Sequence, residues 1–162
     1  MGNDNGATQI KAIVRQPAYT MGLPSKARAM NTPTLPLVYA CSGCSNLAQL
    51  ANRLAVTLDR TGQAEMSCIA GVGGNVKPLV DKARSGRRIV AIDGCPLRCT
   101  QACLGQHGVK ADVILVLTEL GLRKRQGRDA SSEDFELAHE VIQSRLKKLS
   151  PQDEPHRSDV LG

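Results

Sequence analysis

Six cysteines occupy the middle of this chain in a spacing suited to thiolate chemistry. "ACSGCS" holds Cys41 and Cys44, "AEMSCIA" holds Cys68, and "IDGCPLRCTQACLG" holds Cys95, Cys99 and Cys103. A thiolate is both a nucleophile and a soft metal ligand. Cys-x-x-Cys with Gly43 inside it can turn tightly enough for both sulfurs to reach one ion. Cys95 and Cys99 stand one helical turn apart and can also share an ion. Cys103 lies ~12 Å along the axis from Cys95 at ~1.5 Å per residue, whereas sulfurs on one tetrahedral zinc lie within ~4 Å of each other. Cys103 therefore reads as a spare thiol, a second site or a cluster ligand.

Three chemistries suit these residues: a metal site, a redox or sulfur-carrying thiol centre, or inert packing. At ~100° per residue, Leu97 and Leu104 share a stripe, and Cys99 and Cys103 fall ~110–150° from it. That phase argues against cysteines that merely fill a leucine face. Cys44 and Cys95 are expected near helix N-termini, where the partial positive charge favours an anion.

The thiols need elements to position them, and the apolar pattern supplies these. "PLVYA" (36–40), "AEMSCIA" (64–70), "RRIVAID" (87–93) and "DVILVLT" (112–118) read as buried strands, the last covered on both faces. Residues 45–62 place Leu47, Leu50, Ala51, Leu54, Ala55 and Leu58 on one helical face, with Gly62 as a stop. "GVGGN" (71–75) reads as a turn, with Asn75 capping the helix of "VKPLVDKARSG". Pro96 suits the first position of a helix with Cys95 as its N-cap and Gly108 beyond its end. Ser131 with Asp134 resembles a capping box before a helix whose stripe is Phe135, Ala138, Ile142, Leu146 and Leu149.

This βα alternation predicts an α/β protein with a three-layer, Rossmann-like or flavodoxin-like fold and a four-stranded parallel sheet of order 2-1-3-4. Residues 1–34 read as an irregular extension, 35–149 as the cysteine-rich α/β domain and 150–162 as a loose tail. In such sheets ligands bind beyond the carboxyl ends of the strands, where strand order reverses. At least four cysteines from three segments converge on that edge.

Composition narrows the function classes. The only aromatics are Tyr19, Tyr39 and Phe135, too few for the stacking platforms of single-strand nucleic-acid binders. Net charge is +6, with a cluster in "GLRKRQGR" (121–128); it reads as a solvated loop or, alternatively, as a contact for an anionic partner. No apolar run spans a membrane and no secretory signal is evident, so the cytoplasm is expected. Thiols stay reduced there, and clustered cysteines point to metal or catalysis more than to disulfides. "GVGGN" could cradle an anion on backbone N–H groups through Gly71, Gly73, Gly74 and Asn75, or be a plain tight turn. It is not a dinucleotide fingerprint, because Val76 stands where a third glycine belongs. His107 reads as a helix-end side chain interacting with carbonyls. No Ser/His/Asp or paired-carboxylate arrangement follows from spacing, so a non-enzymatic role is preferred and catalysis is left open.

"ACSGCSNLAQLANRLA", "AEMSCIAGVGG", "IDGCPLRCTQACL" and "VLTELG" resemble the DGC-domain proteins, named for their Asp-Gly-Cys motif, here Asp93-Gly94-Cys95. The likeness covers residues 36–125 in matching order. It implies zinc binding by cysteines and supplies no reaction. Carried over by position, Cys41, Cys44, Cys95 and Cys99 are the leading ligand set for Zn²⁺, with Cys68 and Cys103 in reserve. Asp93 and Arg98 are expected to support the site, Asp93 by accepting loop N–H groups or, alternatively, by capping the following helix. The competing expectation is a redox, sulfur-carrier or iron–sulfur protein using the same thiols, since all-cysteine ligation suits both metals. A protein partner is left open.

Overall fold

A computed structural model describes residues 34–149. The expected tail and nearly all of the expected N-terminal extension lie outside the described residues. Strands β1 (Leu37–Ala40), β2 (Glu65–Met66), β3 (Ile89–Asp93) and β4 (Val113–Val116) form one sheet of order β2-β1-β3-β4. Every pairing is parallel, which fulfils the sequence expectation. β1 and β3 are apolar on both faces and lie at the centre. All four β1 residues and all five of β3 are buried.

Helix α1 (Asn46–Arg60) starts where Ser45 accepts the N–H of Ala48 at 3.2 Å, a cap worth about 1 kcal/mol. Its face of Leu47, Leu50, Ala51, Leu54, Ala55 and Leu58 is buried against Val38, Ala40, Val90, Ile92 and Leu115. Each leucine sealed there contributes about 1.5–3 kcal/mol. Helix α5 (Ser132–Lys147) covers the same face and begins with the expected capping box of Ser131 and Asp134. Helices α2 (Ile69–Gly73) and α3 (Lys77–Ala83) both lie between β2 and β3, and α4 (Cys99–Gly105) lies between β3 and β4. The opposite face packs Leu37, Tyr39, Ile89 and Ala91 with Val72, Ala83 and Leu104 from those helices.

Several local expectations need correction. β2 is only two residues long, because Cys68 already caps α2. "GVGGN" is not a loop: Gly71 and Gly73 are helical, and Asn75 sits at φ 58°, leaving Val76 as the cap of α3. β4 is an edge strand, with Ile114 37% exposed, and is not sealed on both faces. Arg145 of α5 donates to the carbonyl of Ile114 on that strand. A short 3-10 turn, Leu117–Leu120, then leads into the basic segment.

Candidate thiol centre at the carboxyl edge of the sheet

β1 and β3 lie side by side in register, Ala40 opposite Ile92. The Cys41 N–H donates to Ile92 O at 3.0 Å, so the pairing continues one residue into the cysteine segment. The chain after β3 then turns back, and the Gly94 N–H donates to Cys41 Sγ at 3.1 Å. A Cβ on Gly94 would stand 2.9 Å from the Leu47 carbonyl carbon and oxygen. The Asp-Gly-Cys turn thus lies directly on the first turn of α1, and only glycine permits that approach.

Asp93 closes the other side of this turn. Its carboxylate is 1% exposed and accepts the Thr100 N–H at 2.8 Å and the Gln101 side-chain amide at 3.2 Å. Both partners lie in the first turn of α4, so Asp93 caps that helix from the end of the preceding strand and fixes the placement of Cys99. The capping alternative is therefore what the geometry realises.

The start of α4 departs from the sequence expectation. Cys95 and Pro96 lie before the helix, whose N-cap is Arg98 in the left-handed region at φ 49°. Leu97, expected on a buried stripe with Leu104, is 73% exposed. A continuous helix from Pro96 is blocked by that left-handed residue, which re-aims the chain between Cys95 and Cys99. Such a conformation costs a non-glycine residue about 1–2 kcal/mol. Arg98 pairs with Glu119 at 2.8 Å and not with a cysteine.

All six cysteines are free thiols. Cys41 is buried. Cys95 and Cys103 are half-buried, and Cys44, Cys68 and Cys99 are exposed. Burial pushes the Cys41 thiol up to about 11. The Gly94 N–H opposes that rise, while negative charge on Asp93, Cys99 and Cys95 adds to it. Cys41 thus lies within electrostatic reach of Cys95 and Cys99. Cys103 is also raised, by burial first and then by Cys99 and Asp93. It packs on α2, where a Cβ added to Gly73 would meet its sulfur at 2.8 Å. Cys44 stands in an exposed bend after β1, and Cys68 at the start of α2. Among the described residues no three His, Cys, Asp or Glu side chains are gathered closely enough to hold a metal ion as they stand.

Two supporting residues were not foreseen. Lys124 Nζ stands 3.3 Å from Cys95 Sγ, which puts positive charge at the thiol where Arg98 was expected to supply it. Asn46, buried immediately after the Cys-x-x-Cys segment, donates its side-chain amide to Arg123 O at 3.1 Å. It accepts the Arg125 N–H at 2.7 Å on its side-chain oxygen. Its own N–H donates to Arg125 O at 2.9 Å. The backbone of the basic segment is thus fastened to the start of α1, while its charged side chains stand exposed to solvent as expected. The signal available in the sequence was a lone asparagine in the first turn of an otherwise apolar-faced helix.

In the glycine-rich segment, two of the N–H groups expected to face an anion, those of Gly74 and Asn75, are already spent on backbone carbonyls. The N–H groups of Val72, Gly74, Asn75 and Val76 are donated to Cys68, Ala70, Val72 and Gly71 carbonyls. His107 meets a carbonyl as expected of it, but that of Val72 in α2, at 2.8 Å.

The family model for the DGC domain matches residues 37–142. The anaerobic and virulence modulator AnvM of Pseudomonas aeruginosa (strain PAO1) is 63% identical over 102 residues, covering 63% of this chain and 78% of that protein. No solved structure matches significantly. No helix among the described residues is long and apolar enough to cross a membrane.

Proposed function

The chain belongs to the DGC-domain family, and from that premise we propose that it binds zinc through cysteine thiolates at the carboxyl edge of its sheet, in a structural, sensing or metal-handling role. One observation carries the reading: a buried thiol, Cys41, held by the Gly94 N–H at 3.1 Å within electrostatic reach of Cys95 and Cys99. Backbone N–H groups directed at sulfur are the natural support of a metal-bound thiolate, because they offset its charge without competing for the metal.

The donor set fits zinc by its chemistry, being soft thiolates with positive charge from Lys124 beside them. Cys41, Cys44, Cys95 and Cys99 would hold the ion. Zinc so bound would cross-link the turns after β1 and β3 and the start of α4, and so order this edge. Cys44 and Cys99 are exposed on a bend and a helix start, where an ion could reach them from solvent. Asp93 fixes the first turn of α4, on which Cys99 stands. A sensing role is supported by the similarity to a protein named an anaerobic and virulence modulator.

A thiol-based redox, sulfur-carrier or iron–sulfur function is the second reading. The Lys124 ammonium on Cys95 favours it, since the same charge that offsets a metal-bound thiolate also stabilises a reactive one. Elemental analysis of the anaerobically purified chain separates the two. A colourless protein with stoichiometric zinc supports the first. Iron with acid-labile sulfide, or a metal-free chain with a fast-reacting thiol, replaces it with the second.

A further inference from the structure

Arg123, Arg125 and Arg128 line one cavity of about 420 Å³ beyond β4, with Asn46, Asp129 and Ser131 on its other walls. Asp134 also borders it, but its carboxylate is engaged in the cap of α5, accepting the Ser131 N–H. The ion pairs among the described residues involve Arg60, Lys77, Lys82, Arg87, Arg88 and Arg98. None involves the three cavity arginines, and none of their guanidinium groups donates to another described residue. Three like charges are thus held around one cavity by a backbone that Asn46 fixes at Arg123 and Arg125.

Three solvent-exposed guanidinium groups around one cavity present a local positive field to an incoming anion. Guanidinium forks match phosphate and carboxylate oxygens bidentately. The volume lies within the range of small-molecule sites, roughly 300–1,000 Å³, and exceeds what a bare inorganic ion fills. Asp129 and the Ser131 hydroxyl can take the hydroxyl or amino groups of an organic ligand. No aromatic side chain lines the cavity, so it lacks the stacking surface that a nucleic-acid strand uses.

We propose that this cavity is a binding site for a small, multiply charged organic anion, such as a sugar phosphate, held by Arg123, Arg125 and Arg128. The site uses none of the cysteines and does not depend on the zinc reading.

The test is an amide-NMR titration of the full chain with inorganic pyrophosphate and, separately, with ribose 5-phosphate, at constant ionic strength. Saturable shifts confined to residues 121–131 and Asn46 are expected. Combining Arg123→Gln, Arg125→Gln and Arg128→Gln should weaken both probes by about tenfold or more. The variant's thermal unfolding should match the parent's, because these side chains are exposed. Shifts that never saturate, or that persist unchanged in the triple variant, would overturn the proposal. So would tighter binding of a short single-stranded oligonucleotide through the same arginines.

Discussion

Gly94 donates its N–H to the buried sulfur of Cys41 at 3.1 Å while lying too close to the Leu47 backbone for any side chain. The glycine between Asp93 and Cys95 therefore has two tasks, packing a turn and supporting a thiol. Gly94→Ala places a Cβ 2.9 Å from the Leu47 carbonyl group, and overpacking of this kind destabilises by about 1–3 kcal/mol. Urea unfolding followed by circular dichroism should show the loss, together with faster alkylation of Cys41. Unchanged stability and unchanged Cys41 protection would mean that the turn is not seated as described.

Asp93 should be needed for α4 more than for the thiols directly. Asp93→Ala removes the acceptor of the Thr100 N–H and should cost about 1–3 kcal/mol. Asp93→Asn keeps one oxygen acceptor and should cost less. The same unfolding measurement orders the two variants; equal losses would contradict the capping role.

Lys124 should act on chemistry and not on folding. Its ammonium is exposed and touches Cys95 Sγ at 3.3 Å. Lys124→Ala should slow iodoacetamide capture at Cys95 in the metal-free chain by roughly two- to fivefold, read by site-resolved mass spectrometry. Lys124→Arg should restore much of the rate, and the unfolding midpoint should move little in either. An unaltered rate in Lys124→Ala would show that the contact has no electrostatic consequence.

The raised Cys41 thiol predicts an alkaline loss of stability in the metal-free chain. Its folded value of about 11 lies above the ordinary thiol value of 9.0. Between those values the unfolded chain has released the proton that the folded chain retains. Raising the pH therefore favours unfolding, and stability falls from about pH 9 to about pH 11. The full effect is about 2–3 kcal/mol. Below pH 9 this group has no pH effect. The difference between the parent and Cys41→Ala across that window isolates it; parallel curves would refute the burial of this thiol.

The sheet order and the helix on its first crossover were legible because their signals are local and repeated. "LVYA" and "IVAI" are runs without a charge, as central parallel strands must be, and the leucines of α1 recur at helical spacing. Parallel topology alone puts Cys41 and Cys95 on one edge. What failed depended on backbone detail. "IAGVG" is poor in helix formers, yet Val72 buried between α4 and the sheet face makes it helical. Pro96 gives a good helix start, yet Arg98 in the left-handed region delays the helix to Cys99. The Asn46 and Lys124 contacts join residues 29 to 79 positions apart, and no periodicity carries that information.

The central claim is that Cys41, Cys44, Cys95 and Cys99 together hold one zinc ion. The most direct test is the zinc content of anaerobically purified chains carrying single cysteine substitutions. Cys95→Ala and Cys41→Ala should each lose most of the zinc, while Cys68→Ala and Cys103→Ala should retain the parent's stoichiometry. Full zinc in Cys95→Ala, or loss confined to the Cys68 and Cys103 variants, would contradict the ligand set.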